Sequence, residues 1–122
     1  STFVGKTNFL KATVRGEKLQ LGSNILVQTQ ETLPPQGSEV TLSIRPEKLK
    51  FATASDTPKL KVQIKERFFL GNLWLYRVDS EQGELEVSCI NDGMTPKHES
   101  EAEHLTWNDA HFKVMSAPED LK

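Results

Sequence analysis

The sequence predicts an all-β protein built around a small barrel. Three observations lead to this fold class: apolar residues recur with the period of two that marks a half-buried strand, helical periodicity is scarce, and Gly or Pro separates the short apolar segments. The chain of 122 residues has the length of one domain, and a domain of this size buries roughly two thirds of the surface of its unfolded chain. A series of short strands of this kind is typical of small barrels and sandwiches.

The first half of the chain predicts four strands separated by turns. They comprise residues 9–14, 18–21, 25–30 and 39–45. The loop before the fourth strand contains Pro34 and Pro35, which cannot lie inside a sheet because proline has no backbone N–H to donate. The fourth strand must end at Pro46, whose ring fixes φ and removes a donor, and we expect one helical turn after it.

The second half predicts three longer strands and a short last one. They comprise residues 59–66, 73–79 and 84–90, and a final strand around Phe112 and Val114. Residues 91–103 are polar and predict a loop, and the pair Asn108-Asp109 is expected to cap one helical turn. The small polar residues 52–58 predict a linker. We therefore expect an OB-like barrel with a second small β subdomain inside a single domain, divided near residues 52–58.

Composition and charge argue against several functions. Hydrophobic residues make up 36% of the chain and charged residues 26%, as in an ordinary globular domain. The formal net charge of -2 and the pI near 5.9 provide no basic field for nucleic acid or an anionic membrane surface. Cys89 is the only cysteine, so no disulfide framework is possible and a reducing cytoplasm is the expected location. No apolar run is long enough to span a bilayer.

No catalytic motif is complete. Gly5-Lys6-Thr7 resembles the end of a phosphate-binding P-loop, but the first glycine of that motif would precede the chain and no helix is predicted to follow. His98, His104 and His111 stand among glutamates, yet no pair has the spacing of metal ligands. We therefore predict that this chain is not an enzyme and has neither catalytic residues, nor a metal site, nor a cofactor of its own.

Aromatic residues cluster around the turn that precedes the strand at 73–79. Phe68, Phe69, Trp74 and Tyr76 could form a stacking platform for single-stranded nucleic acid. Alternatively, Phe68 and Phe69 plug one end of the barrel and Trp74 or Tyr76 packs beneath a loop. Because the pI is acidic, packing is the favoured interpretation. We therefore expect no nucleic-acid partner.

Four stretches then occur in a characteristic order along the chain. They are Phe3-Val4-Gly5-Lys6-Thr7-Asn8-Phe9-Leu10, Ser43-Ile44-Arg45-Pro46-Glu47, Phe69-Leu70-Gly71 ahead of Tyr76-Arg77-Val78, and Leu105-Thr106-Trp107-Asn108-Asp109-Ala110. The series resembles the C-terminal regulatory domain of importer-type ABC-transporter ATPases, the transport-associated OB (TOBE) domain. In pattern it looks most like the polyamine, ferric iron and phosphonate importers. Gly5, Asn8, Pro46 and Gly71 are the structural motif residues of this resemblance.

The resemblance implies a non-catalytic regulatory domain. The nucleotide-binding domain, with its ATP and magnesium, would lie upstream and outside this chain. Through the full-length protein the domain would help two copies of the ATP-binding subunit form a homodimer, and it would work with membrane permease subunits at the cytoplasmic face of the cell membrane. Phe68, Phe69, Leu70 and Trp74 are then candidates for a dimer or ligand surface, and packing in the core is the alternative.

A sensing role is the alternative function. Arg45 and Glu47 would form ion pairs within the barrel or with a partner subunit, or together with Arg77 they would contact a small ligand or an oxyanion. Ser43-Ile44-Arg45 is similar to the start of the pattern Ser-x-Arg-Asn of oxyanion-binding barrels, but Pro46 replaces the Asn and has no N–H to offer an anion. An OB-fold nucleic-acid binder is a weaker third alternative.

Overall fold

Strands and two short 3-10 turns make up the regular structure of the described residues. The computed structural model describes residues 6–91, 96–98 and 101–115. The strands are β1 (Asn8–Arg15), β2 (Lys18–Leu21), β3 (Ile25–Gln28), β4 (Glu39–Ile44), β5 (Lys50–Phe51), β6 (Leu60–Phe69), β7 (Leu73–Ser80), β8 (Gly83–Ile90), β9 (Ala102–Thr106) and β10 (Lys113–Met115). The 3-10 turns are Pro46–Lys48 and Asp109–His111. The predicted all-β class is confirmed.

The strands form two antiparallel sheets. The first sheet has the order β10-β4-β1-β2-β3 and the second has the order β5-β9-β6-β7-β8. The last strand, β10, returns to pair with β4, so both ends of the described chain belong to the first sheet. The described residues contain no helix with the length and hydropathy needed to cross a bilayer.

One hydrophobic core lies between the two sheets. It joins Leu10, Val14 and Leu42 of the first sheet to Ile64 and Val78 of the second, and each of these side chains is buried. Burying a Leu or Ile side chain contributes about 1.5–3 kcal/mol, so the alternation of each strand is a main source of its stability. The inward positions of β1 and β6 are those that the period of two predicts.

A β-bulge in β6 changes which residues share a face. The register with β7 shifts between Ile64 and Glu66. Beyond the bulge Glu66 lies opposite Arg77, on the face away from the core, whereas Arg67 lies opposite the buried Tyr76. A bulge places two residues of one strand against one residue of its partner, and it thereby redirects the side chains that follow. The bulge brings Glu66 and Arg77 together.

Most predicted elements are confirmed, and several bounds are wrong. β2 has the predicted bounds, both helical turns exist, and the Asn108 side chain accepts a hydrogen bond from the N–H of Ala110 as a cap. The third strand ends at Gln28 rather than at residue 30. The predicted loop 91–103 overlaps the start of β9 at Ala102, and β5 has no counterpart among the predicted strands. β9 is polar at its start, and it forms a strand because it pairs with β5 on one side and β6 on the other.

Residues 52–58 join β5 to β6. Both of these strands flank β9 in the second sheet, so the connection returns to the sheet that it leaves. The division of the domain into two subdomains near these residues stays a prediction.

Candidate functional site

Arg77 stands at the centre of a cluster of carboxylates on the outer face of the second sheet. Its guanidinium lies 2.6 Å from Glu66 of β6, 3.5 Å from Glu86 of β8 and 3.9 Å from Glu84 of β8. The Cζ of Arg77 is also 5.4 Å from the centre of the Phe68 ring, within the range of a cation–π contact. Burial opposes the charged form, yet the hydrogen bond and the charge of Glu66 raise the pKa of Arg77. These contacts join Arg77 and Phe68 to the same cluster of side chains on this face.

Glu86 is the buried member of this cluster. Only 7% of the residue is exposed, and its Oε1 has no hydrogen-bond partner among the described residues. Truncating one partner of a buried ion pair is far more costly than the net worth of the pair, because the remaining charge stays without compensation. Arg77 therefore compensates the buried charge of Glu86, and a role in stabilising the fold accounts for both residues.

Asn8 of β1 connects β8, the strand of Glu86, to the first sheet. Its side-chain Nδ2 donates to the carbonyl oxygen of Glu86 at 2.8 Å, and its Oδ1 accepts from the N–H of Glu86 at 2.8 Å. A carboxamide carries a donor and an acceptor side by side, so it can pair with a strand edge as another strand would. Asn8 is buried and β1 supplies it at its first residue. The motif residue thus closes the gap between the two sheets.

Arg45 and Glu47 lie together at the end of β4. The Nε of Arg45 is 3.4 Å from the Oε2 of Glu47, and about half of each side chain is exposed. The Nη1 of Arg45 is 3.4 Å from the hydroxyl of Thr7. Pro46 between them is buried and begins the first 3-10 turn. Arg77 belongs to the separate carboxylate cluster on β7, where Glu66, Glu84 and Glu86 surround it.

The end of the second sheet, made by the turn between β6 and β7 and by the end of β8, is an exposed apolar region with side chains on both faces of the sheet. We call it the apolar end surface, and it consists of Phe69, Leu70 and Ile90 with exposed fractions of 52%, 38% and 80%. Trp74 lies half-buried beside it, 5.0 Å from Phe69 between ring centres. Gly71 has φ +89°, a conformation that non-glycine residues rarely adopt, and it permits the tight turn that presents Leu70.

Beneath this surface the aromatic side chains are anchored by a loop. The Tyr76 hydroxyl accepts a hydrogen bond from the N–H of Lys97 at 3.0 Å, and Arg67 donates to the carbonyl of Lys97 at 2.7 Å. The Cζ of Arg67 also lies 5.2 Å from the centre of the Trp74 ring. Tyr76 therefore packs below the loop, whereas Phe69 remains open to a partner.

A second surface feature is a groove of about 300 Å³ on the outer face of the first sheet. We call it the cationic groove. It is lined by Thr7, Phe9, Ser43, Arg45, His111 and Lys113. Of these residues only Arg45 is among the site residues that the sequence predicts. Ser43 precedes it in the same short stretch, whereas Thr7, Phe9, His111 and Lys113 come from other parts of the chain and no local pattern joins them to Arg45. Among the described residues, no three His, Cys, Asp or Glu side chains form a group that could hold a metal ion.

Comparison with known proteins places the chain in a family. The family model described as TOBE domain matches residues 42–115, which is more than half of the chain. The chain belongs to the TOBE domain family. Spermidine/putrescine import ATP-binding protein PotA 2 of Pseudomonas aeruginosa is 34% identical over 92 residues, which cover 67% of this chain and 25% of that protein. The TOBE domain thus spans about a quarter of the length of this curated relative.

A solved structure shares the fold of this TOBE domain. The cytoplasmic molybdate-binding protein ModG superposes with a TM-score of 0.67 at 15% sequence identity, and the match covers 88% of this chain and 94% of that one. At this identity the likeness concerns the fold alone.

The family match also locates the predicted motif residues. Arg45, Pro46 and Gly71 lie inside the matched residues 42–115, and Asn8 lies before them. Gly5 lies outside the residues that the structure describes. The sequence did not reveal Ile90, which ends a strand whose other residues give no sign of an exposed apolar side chain, or the buried carboxylate of Glu86.

Proposed function

We propose that this TOBE domain is the non-catalytic regulatory and dimerisation domain of the ATP-binding subunit of an ABC importer, with a polyamine-type substrate. The family match and the similarity to a spermidine/putrescine import ATP-binding protein support this proposal. The catalytic work, with ATP and magnesium, would belong to an ATPase domain of the same protein. The assembly would work with membrane permease subunits at the cytoplasmic face of the cell membrane.

The apolar end surface is the observation that carries the proposal. Phe69, Leu70 and Ile90 are exposed apolar side chains at the same end of the paired β6–β7–β8 unit. Phe69 shares the face of its partner Trp74, and Ile90 lies on the opposite face with its partner Leu73. Three large apolar side chains exposed at one end of a sheet offer apolar area that a partner reaching around this end would bury, and exposed apolar area concentrated in one region is typical of interaction sites. The occupant that we propose is the second copy of the ATP-binding subunit. Contacts that differ between the open and closed dimer would bias the ATPase cycle, as coupling between two sites requires.

The test compares three single variants of the complete ATP-binding subunit. Phe69→Ser and Ile90→Ser remove apolar area from the proposed interface. Leu26→Ser is the matched control, because Leu26 has the same exposed fraction as Phe69, 52%, but lies on β3 of the first sheet. Sedimentation velocity would measure self-association, and ATPase assays with the permease would measure coupling.

We expect the dissociation constant of the dimer to rise about tenfold for each interface variant, since a hydrophobic contact contributes on the order of 1–2 kcal/mol. The control should match the wild type. Unchanged self-association and coupling in both interface variants would contradict the proposal. Transport of labelled spermidine, putrescine and molybdate by the assembled transporter would test the substrate class.

Ligand sensing is the second candidate function. The observation that favours it is the cationic groove, which Arg45 lines. Arg77 is the weaker candidate for a ligand contact, because carboxylates of the same sheet already surround its guanidinium. A ligand present at a hundred times its dissociation constant stabilises the folded domain by about 2.7 kcal/mol. Thermal unfolding with spermidine, putrescine, sulfate and molybdate would reveal such a ligand as a rise in Tm. A flat panel would contradict sensing and leave the dimerisation role untouched.

A further inference from the structure

A second cavity lies where the first 3-10 turn, β5 and the segment after β9 meet. Its volume is about 420 Å³, within the range of roughly 300–1,000 Å³ that is usual for small-molecule pockets. We call it the mixed-charge cavity, and its lining includes Glu47, Lys48, Lys50, Asp56, Thr106 and Trp107. Arg45 does not line it, so it is a separate site from the cationic groove.

Thr106 forms the floor of this cavity. It is the register partner of Lys50 in the pairing of β9 with β5, so the two side chains share the face of the second sheet that points away from the core. Thr106 is only 8% exposed, yet its hydroxyl makes no hydrogen bond to another described residue. Because an unsatisfied buried hydroxyl costs free energy, this position favours a ligand that offers a hydrogen-bond partner.

Two ammonium groups and two carboxylates line the cavity and balance each other in charge. Lys50 lies 3.4 Å from Asp56, and Glu47 pairs with Arg45 outside the cavity at 3.4 Å. Lys48 is exposed to solvent and makes no ion pair with a described residue. Its ammonium is therefore available to the carboxylate of a ligand.

The carboxylate of Asp56 is charged and only partly used. Its Oδ2 accepts from the N–H of Thr53 at 2.8 Å and from the Thr53 hydroxyl at 3.0 Å, and the same oxygen faces Lys50. The hydrogen bonds from Thr53, followed by the charge of Lys50, lower the pKa of Asp56. All of these contacts with described residues use Oδ2, so Oδ1 remains for an ammonium group of a ligand.

We propose that the mixed-charge cavity binds a small zwitterion of the α-amino acid class. The ammonium of Lys48 and the hydroxyl of Thr106 donate to its carboxylate, and Oδ1 of Asp56 accepts from its ammonium. Hydrogen bonds of this charge-assisted kind are stronger than those between neutral groups. A ligand with a single charge satisfies only one side of the balanced lining. The inference goes beyond both candidate functions, because it involves neither the apolar end surface nor Arg45.

The experiment is an NMR titration of the 15N-labelled chain with glycine and with L-glutamine. Acetate and methylammonium each present one charged half of glycine, and inorganic phosphate tests for a general anion site. The indole N–H of Trp107, which donates to Asp109 at 3.0 Å, reports the cavity. The indole N–H of Trp74 on β7 is the reference outside the cavity.

Two variants test the site and a third is the control. Lys48→Gln removes the proposed partner of the carboxylate at an exposed position, and Thr106→Val removes the hydroxyl with little change of shape. Lys61→Gln is the matched control, because Lys61 is an exposed lysine on the same face of the second sheet, opposite His104 and outside the cavity. The amide spectrum of each variant reports its folding, and Lys48→Gln carries the test alone where Thr106→Val does not fold.

We expect saturable shifts at Lys48, Thr106 and the Trp107 indole with the zwitterions, and no shift at Trp74. Each cavity variant should weaken binding about tenfold through the loss of one hydrogen bond to the ligand carboxylate, and the control should bind as the wild type does. The singly charged probes and phosphate should not saturate in the same concentration range. Shifts that saturate with neither zwitterion, that a singly charged probe or phosphate reproduces, or that Lys48→Gln leaves unchanged would overturn the proposal, whatever the self-association and thermal-unfolding assays show.

Discussion

At the scale of single residues, Tyr76 shows how burial sets the chemistry of a side chain. Its ring packs edge-on against Phe51 at 5.1 Å, and its hydroxyl accepts from the N–H of Lys97 at 3.0 Å. Burial raises the pKa of Tyr76 above the ordinary value of 10.0, although the hydrogen bond from Lys97 acts in the opposite direction. The folded state therefore holds the phenol proton more tightly than the unfolded chain does.

This shift predicts a loss of stability at alkaline pH. Because the folded pKa is the higher one, the contribution of Tyr76 is complete below the unfolded pKa and is lost as pH rises through the folded pKa. Tyr76 is the only tyrosine of the chain, so tyrosinate absorbance reports it alone. We expect the absorbance midpoint of the folded chain to lie above 10.0, the ordinary value.

The control for this prediction is Tyr76→Phe. Lysines also lose protons in the same pH range, so the informative quantity is the difference in unfolding free energy between wild type and variant. That difference should fall as pH rises through the titration of Tyr76. A midpoint at or below that of free tyrosine would show that burial does not govern this side chain.

At the scale of elements, alternation in the sequence predicted the strands whose every second side chain is buried in the core. β1 and β6 place Leu10 and Ile64 inward as the pattern requires. β5 and β9 were not predicted, because pairing with strands distant in sequence stabilises them and no local pattern of alternation marks them. The candidate site shows the same limit. Arg45 could be singled out beside Pro46, but only the fold joins it to Lys113, which follows it by more than sixty positions in the printed sequence.

Asn8 is the residue through which β1 holds β8. Its two hydrogen bonds to the backbone of Glu86 are buried and join strands of different sheets. Asn8→Ala would leave a buried N–H and a buried carbonyl of Glu86 without partners. Each such group costs about 1–3 kcal/mol, so we expect the unfolding free energy to fall by roughly 2–6 kcal/mol.

Urea unfolding would measure this loss. Asn24→Ala in the exposed turn between β2 and β3 is the control and should change stability by no more than about 0.5 kcal/mol. Asn8→Asp keeps the acceptor for the Glu86 N–H but loses the donor and adds a charge, so it should also destabilise the fold. A stability equal to the wild type in Asn8→Ala would show that the two hydrogen bonds between Asn8 and Glu86 contribute nothing to stability.

At the scale of the whole molecule, Asp109 ties the two sheets together away from Asn8. Its Oδ2 accepts from the N–H of Gln28 in β3, and its Oδ1 accepts from the Trp107 indole, each at 3.0 Å. Lys59, just before β6, lies 3.5 Å from the same carboxylate. Together with the shared core and the contacts of Asn8, these contacts hold the first sheet to the second at two separate places.

Such connections predict that the two sheets unfold in one transition. The tryptophans Trp74 and Trp107 lie in the second sheet or just after β9, so their fluorescence reports that part, whereas far-ultraviolet circular dichroism reports the strands of both sheets. The two urea curves should coincide, as a two-state domain requires. Asp109→Ala should shift both curves together and lower the unfolding free energy by roughly 2–4 kcal/mol, because it removes hydrogen bonds to a charged group. Curves that separate, with Asp109→Ala moving only one of them, would instead support the two subdomains that the linker at residues 52–58 predicts.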